Sequence, residues 1–232
     1  MSATVRVSAL LALLLLAACA VPRPATQPVT PGGAVLSPVQ LLAAVQSDAD
    51  RIEQVPDAAQ RAQLLAAATL SAQQCLALSA DNAHCQYAQA QVLGLTAREH
   101  PLQAGALLKQ MLTYLTKAEG LDPGLDHAGP ARLTAVVLLR APPWPVGPGD
   151  VDGALVAAQR AVQRDAIYPP NLITLAQAEA KSAGTAQARA SFGRAQLAVQ
   201  AWVGAADAAP AAVATQRAQW QRTIEQGLRD LQ

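Results

Sequence analysis

The chain has 232 residues, enough for one or two domains with a sizeable core, so size alone excludes little. Apolar residues make up 52 % and aromatics only 3 %; the surplus is mostly alanine, which favours helices packed closely through small side chains over a β-sandwich. The net charge is +1, with 17 Lys and Arg scattered among 16 Asp and Glu, so the basic stripe that neutralises nucleic-acid phosphates is missing.

The N-terminus carries an export pattern. Arg6 supplies a positive charge, "ALLALLLLAA" is a short apolar run, and "LAAC" closes it at Cys19. A bilayer-spanning helix needs about 20 apolar residues, so the run reads as a signal peptide over residues 1–18. Leu16, Ala17, Ala18 and Cys19 resemble the bacterial lipobox, which implies lipidation of Cys19 after cleavage. An ordinary secretory peptide with an incidental cysteine is the alternative. Several acyl chains, each buried CH₂ worth about 0.8 kcal/mol, would hold the protein on a membrane surface. Ala20 follows the cysteine where an aspartate retains enteric lipoproteins on the inner membrane, so the resemblance favours the periplasmic side of the outer membrane. Residues 19–36 hold four prolines and a Gly-Gly pair; such a segment extends by about 3.1 Å per residue and reads as a tether.

From Ser37 onward, helix follows helix. Ser37 before Pro38 is a good N-cap with proline at the first helical position. Spacing predicts helices over 38–53, 57–79, 82–97, 101–119, 127–140, 151–165, 170–182, 186–206 and 210–231. Asp57, Asp81 and Asp150 are expected as N-caps, and Gly120 and Gly184 as stops. After Asp150, Ala154, Ala158, Ala161 and Val162 form one small-residue stripe suited to close packing.

An internal repeat is legible. "ALSADN", "AEGLDP" and "AVQRDA" place an alanine four residues before an aspartate: Ala77 and Asp81, Ala118 and Asp122, Ala161 and Asp165. Each interval holds two predicted helices, the logic of a tetratricopeptide repeat, although only Pro123 matches its proline and the interval exceeds the usual ~34 residues. The fold class expected is all-α, with degenerate tetratricopeptide-like hairpins stacked into a compact solenoid over residues 37–232. Chance spacing in an alanine-rich chain is the competing explanation.

Cys75 and Cys85 remain once Cys19 is set aside. They flank the junction of two predicted helices, whose ends can bring two Cα atoms within the ~4.4–6.8 Å of a disulfide. Two separate buried thiols are the alternative; a metal site with His84 lacks a fourth ligand. The motifs of Ser hydrolases, zinc proteases, P-loops and dinucleotide sites are missing, which gives no support to an enzyme or to a cofactor. His84, His100 and His127 lie near helix boundaries, where capping or exposure is the ordinary explanation. The pairs Asp48/Asp50 and Asp150/Asp152 read as helix-end charges.

Three ordered motifs add a family resemblance: "GPAR" at Gly129–Arg132, "APPWPVGPGD" at Ala141–Asp150, and "PPN" at Pro169–Asn171. Together they resemble the T component of TRAP-type transporters, lipid-anchored periplasmic proteins with a tetratricopeptide-like fold. The likeness covers about fifty-five residues clearly and extends weakly back to about residue 60. It implies a non-enzymatic accessory protein that associates into a trimer, binds the transporter's solute-binding protein and handles an apolar ligand in an internal cleft. Pro143 departs from the pattern, where glycine is expected. Within the motifs, Trp144 is expected first to pack between the helices 127–140 and 151–165 and set their angle. Ligand or partner contact, the second role, falls on Arg140, Trp144, Pro145, Gly147, Asp150 and Asn171. A general tetratricopeptide-like scaffold for envelope assembly is the runner-up function.

Overall fold

The computed structural model describes residues 35–182, 184–204 and 209–232. The predicted signal peptide, Cys19 and nearly all of the predicted tether lie outside them. Nine α-helices follow in chain order among the described residues: α1 Pro38–Gln54, α2 Ala58–Leu78, α3 Ala83–Glu99, α4 Ala104–Leu121, α5 Leu125–Arg140, α6 Val151–Arg164, α7 Pro169–Ser182, α8 Thr185–Ala201 and α9 Pro210–Arg229. No described segment forms more than an isolated β-bridge. No described helix is long and apolar enough to cross a membrane.

The local chemistry of the starts is visible. Ser37 and Gln40 form a reciprocal capping box, with the Gln40 amide donating to Ser37 Oγ at 3.3 Å and the Ser37 amide to Gln40 Oε1 at 2.9 Å. Asp57 caps α2 through the Gln60 amide at 2.8 Å, and Asp150 caps α6 through the Gly153 amide at 3.0 Å. The cap of α3 is Asn82 rather than Asp81: its Oδ1 takes the His84 amide at 2.9 Å while Asp81 stays in the preceding turn. Gly120 does not stop α4, which continues to Leu121 and ends where the Asp122 amide returns to Ala118 O at 2.9 Å. Before α4, residues Pro101–Gln103 form a 3-10 turn.

Short connections pair the helices as antiparallel neighbours: α1 with α2, α3 with α4, α5 with α6, α7 with α8, and α9 against α7 and α8. One large core joins α1 to α5 around Leu42, Val45, Tyr87, Met111 and Leu115. A second packs the alanine face of α6 (Ala154, Ala157, Ala158) on Ala135 and Leu139 of α5 and Leu175 of α7. A third joins α7, α8 and α9 around Phe192 and Ile224. Alanine lets these helices approach closely, so many small contacts replace the aromatic core that the composition cannot supply.

Three helix ends share one geometry. Ser79, Asp122 and Asp165 end α2, α4 and α6 with φ near −150° (−157°, −148°, −141°) and ψ of 96°, 95° and 96°. Each amide returns to a fully buried small residue four positions back: Cys75, Ala118 and Ala161. The interval is 43 residues both times (79, 122, 165). This corrects the first member of the sequence pattern, because Ala77 is exposed and Cys75 takes the alanine's place. Cys75 and Cys85 are joined in a disulfide with Cα atoms 5.0 Å apart, both sulfurs' residues fully buried beside Leu41.

Candidate functional site

The resemblance motifs lead to three places: a buried polar junction, an exposed loop tip and an open cleft.

The junction begins with an irregularity. Asp126, His127 and Ala128 all have positive φ (51°, 54°, 60°), a left-handed turn that L-residues adopt at a cost of about 1–2 kcal/mol each. Regular helix therefore starts at Gly129 with Pro130 in its first turn, two residues later than expected. The turn is held from several sides. Arg132 Nη1 donates to Asp126 O at 3.1 Å and His127 O at 3.0 Å, and its Nη2 to Asp126 Oδ2 at 3.0 Å. Tyr87 Oη donates to the same carboxylate oxygen at 2.7 Å. Burial, then the neighbouring Asp126 charge, pushes the Tyr87 hydroxyl far above its usual range, so it is a permanent donor here. Gly129 is required, because a Cβ there would overlap the Tyr87 hydroxyl.

Asn171, from the third motif, completes the junction. It is fully buried, accepts from Arg132 Nη1 at 3.1 Å, and aims Nδ2 at His127 O (3.0 Å), Ala161 O (3.3 Å) and Asp165 O (3.0 Å). One amide thus ties the left-handed turn, the end of α6 and the start of α7. Arg132 also lies 5.0 Å from the centre of the Tyr168 ring.

His127 is exposed, as expected of a histidine near a helix boundary, but it also makes specific contacts. Its ring stacks on Tyr168 at 4.2 Å and its Nδ1 pairs with Asp165 Oδ2 at 2.7 Å. Trp202 and Trp220 close the cluster edge-on. Burial works against the Asp165 carboxylate, but the His127 hydrogen bond and the Ile167 and Tyr168 amides outweigh it and leave its pKa below the ordinary aspartate value. Trp202 also explains why α8 ends at Ala201 instead of running to 206: the chain turns extended to place the indole on Tyr168 and Trp220. That aromatic packing outweighs alanine's helix propensity.

The second motif overturns the expected clasp. Trp144 is 81 % exposed, not wedged between α5 and α6. Its loop closes on its own backbone: the Gly147 amide donates to Pro143 O at 3.2 Å and the Gly149 amide to Pro142 O at 2.9 Å. Gly147 is the buried member, in a position where a Cβ would meet Pro142 O at 2.6 Å. The backbone therefore faces the helices, while Trp144, Pro145 and Val146 point out.

Arg140 lies elsewhere again, on the wall of an open cleft of about 690 Å³ at the end of α5, between α7, α8 and α9. Leu139, Phe192 and Leu231 give it an apolar floor; Arg140, Lys181 and Arg222 stand around it. Of the six residues expected to make contact, the structure sets Arg140 on this cleft, Trp144 and Pro145 on the tip, Gly147 beneath it, Asp150 at its cap and Asn171 in the buried junction. Among the described residues, no three His, Cys, Asp or Glu side chains gather as a metal site. Sequence reasoning missed the junction's Tyr87, Asp126, His127, Trp202 and Trp220 as site residues; Arg132, through the "GPAR" motif, and Asn171, through "PPN", were the two signals that pointed there.

The chain matches no protein-family model and no curated protein.

Proposed function

We propose that this chain is a lipid-anchored accessory protein of a TRAP-type solute uptake system, on the periplasmic side of the envelope, with no catalytic role of its own. In this reading its four helical pairs are degenerate tetratricopeptide-like repeats, supported by the three like helix ends 43 residues apart. The observation that carries the resemblance furthest is the meeting of two motifs: Arg132 of "GPAR" and Asn171 of "PPN", 39 residues apart in sequence, bond at 3.1 Å and fix the left-handed turn between them. Two separate motifs that converge on one buried junction support reading them as one signature rather than two coincidences.

The partner would be a periplasmic solute-binding protein, whose gene is expected beside this one with those of its permeases, and the apolar ligand would enter the α7–α9 cleft. Light scattering of the purified chain with and without that protein tests both trimerisation and partnership. A pull-down that recovers envelope assembly machinery and no solute-binding protein would remove the transporter role. The second reading, a general envelope scaffold, draws on the exposed Leu102, Trp144 and Val146, apolar side chains that suit protein contacts of either kind.

A further inference from the structure

We infer that the cleft between α7, α8 and α9 takes an anionic amphiphile: one apolar chain along Leu139, Phe192 and Leu231, and one negative head group between Arg140 and Arg222. The volume, about 690 Å³, lies within the range of about 300–1,000 Å³ seen for small-molecule sites, and the pattern is theirs too, an apolar floor with a few convergent polar groups.

The sign of the head group follows from the lining. Three cations, Arg140, Lys181 and Arg222, face one acid, Asp230. The acid is engaged by the Gln226 side chain. Lys181 is anchored through Nζ to Leu139 O at 2.8 Å, which fixes its charge at the inner wall. The two arginines meet no carboxylate among the described residues, and each offers a planar donor fork suited to a carboxylate or phosphate oxygen pair. In a chain whose positive and negative charges nearly balance, this local excess selects an anion, while the floor gives no reward to a small hydrophilic one.

The inference rests on the ligand part of the proposed function and not on its partner part. A chain that binds the amphiphile but ignores the solute-binding protein keeps the inference and loses the transporter role; the reverse result does the opposite.

Calorimetry on the full chain in phosphatidylcholine nanodiscs, with empty nanodiscs as blank, tests it using sodium decanoate, decanol and decyltrimethylammonium. Decanoate is expected to bind at least tenfold more tightly than either other probe, since one charge-assisted hydrogen bond is worth that factor or more. Octanoate should bind about five- to fifteenfold more weakly than decanoate, from about 0.8 kcal/mol for each buried methylene. R140Q with R222Q should reduce decanoate to within about twofold of decanol, and Ala180→Trp, at an exposed position on the cleft wall, should abolish binding of both. Raising salt should weaken decanoate only, which tests the wild-type chain without any variant. Replacing the nanodisc lipid with phosphatidylglycerol separates two sources of the same chemistry: competition with decanoate assigns a membrane lipid, and its absence a free carboxylate. Equal affinity for decanoate and decyltrimethylammonium, or decanoate binding unchanged by Ala180→Trp, would overturn the inference.

Discussion

Replacing Asn171 with alanine tests whether the buried junction holds the molecule together. The side chain makes four hydrogen bonds from a fully buried position, but they are not equal losses. Arg132 Nη1 keeps Asp126 O and His127 O, and Ala161 O keeps the Asp165 amide. Asp165 O loses the side-chain donor and is left partly buried. One such orphan costs about 1–3 kcal/mol, and the other lost bonds about 0.5–1.5 kcal/mol each in the most favourable geometry. The sum, discounted for the retained partners, is about 3–4 kcal/mol. For a domain of this size each kcal/mol moves Tm by about 2–4 °C, so a fall of about 6–16 °C is expected by calorimetry and by loss of helical circular dichroism. N171D is the sharper control. It preserves the volume and the Arg132 contact, yet turns an oxygen instead of an amide toward three carbonyl oxygens, and should be at least as destabilising. A Tm within 2 °C of wild type for both variants would refute the reasoning, because it would mean the junction is hydrated or rearranges at no cost.

The other tests are simpler. Replacing Cys75 and Cys85 together with alanine should cost about 2–4 kcal/mol in urea titrations. Because both residues are fully buried, reductant should release their thiols, counted by alkylation and mass, far faster in urea than in native buffer. Trp144→Ala should change stability by less than about 0.5 kcal/mol, as an 81 % exposed side chain predicts. A loss of several kcal/mol would restore the clasp. For Asp165 the folded pKa is lowered, so its contribution is present above the unfolded value near 3.9 and disappears as pH falls through the folded one. D165N should therefore narrow the difference in urea midpoint between pH 6 and pH 3, with little change at the acid end.

The helices were legible because their boundaries are written in single residues. Ser37 with Gln40, Asp57 and Asp150 are side chains whose oxygens can satisfy a first-turn amide, and each does so three residues away. Such signals are local, so no fold is needed to read them. The 43-residue interval was half legible for the opposite reason. Ala118 and Ala161 announce it, but at the first end the same buried position is filled by Cys75, whose size is right and whose identity was claimed by the disulfide. Volume, not residue name, repeats there.

The junction was hidden because its cause is tertiary. "DHA" at 126–128 contains no glycine to announce a left-handed turn, and nothing within four residues could hold one. What holds it arrives from α3 as Tyr87 and from α7 as Asn171, each about 40 residues away, with Arg132 between them. A strained turn persists only where its surroundings over-determine it, so the hydrogen bonds are the reason for the conformation and not its decoration. The error over Trp144 has the same root. A tryptophan among prolines looks like core filler when judged by composition, because burial of its ring is its largest source of free energy. In this loop, however, two glycine amides satisfy proline carbonyls and fill the space next to the helices with backbone. The ring then has no room inside. Its exposure is thus a consequence of how the loop closes, and it leaves an apolar tip on one motif while the cationic wall of the cleft begins one residue before that motif, at Arg140. Along the chain only Ala141, Pro142 and Pro143 separate the two, while the loop is also tied back to α5 where the Asp150 amide donates to Leu138 O at 3.0 Å.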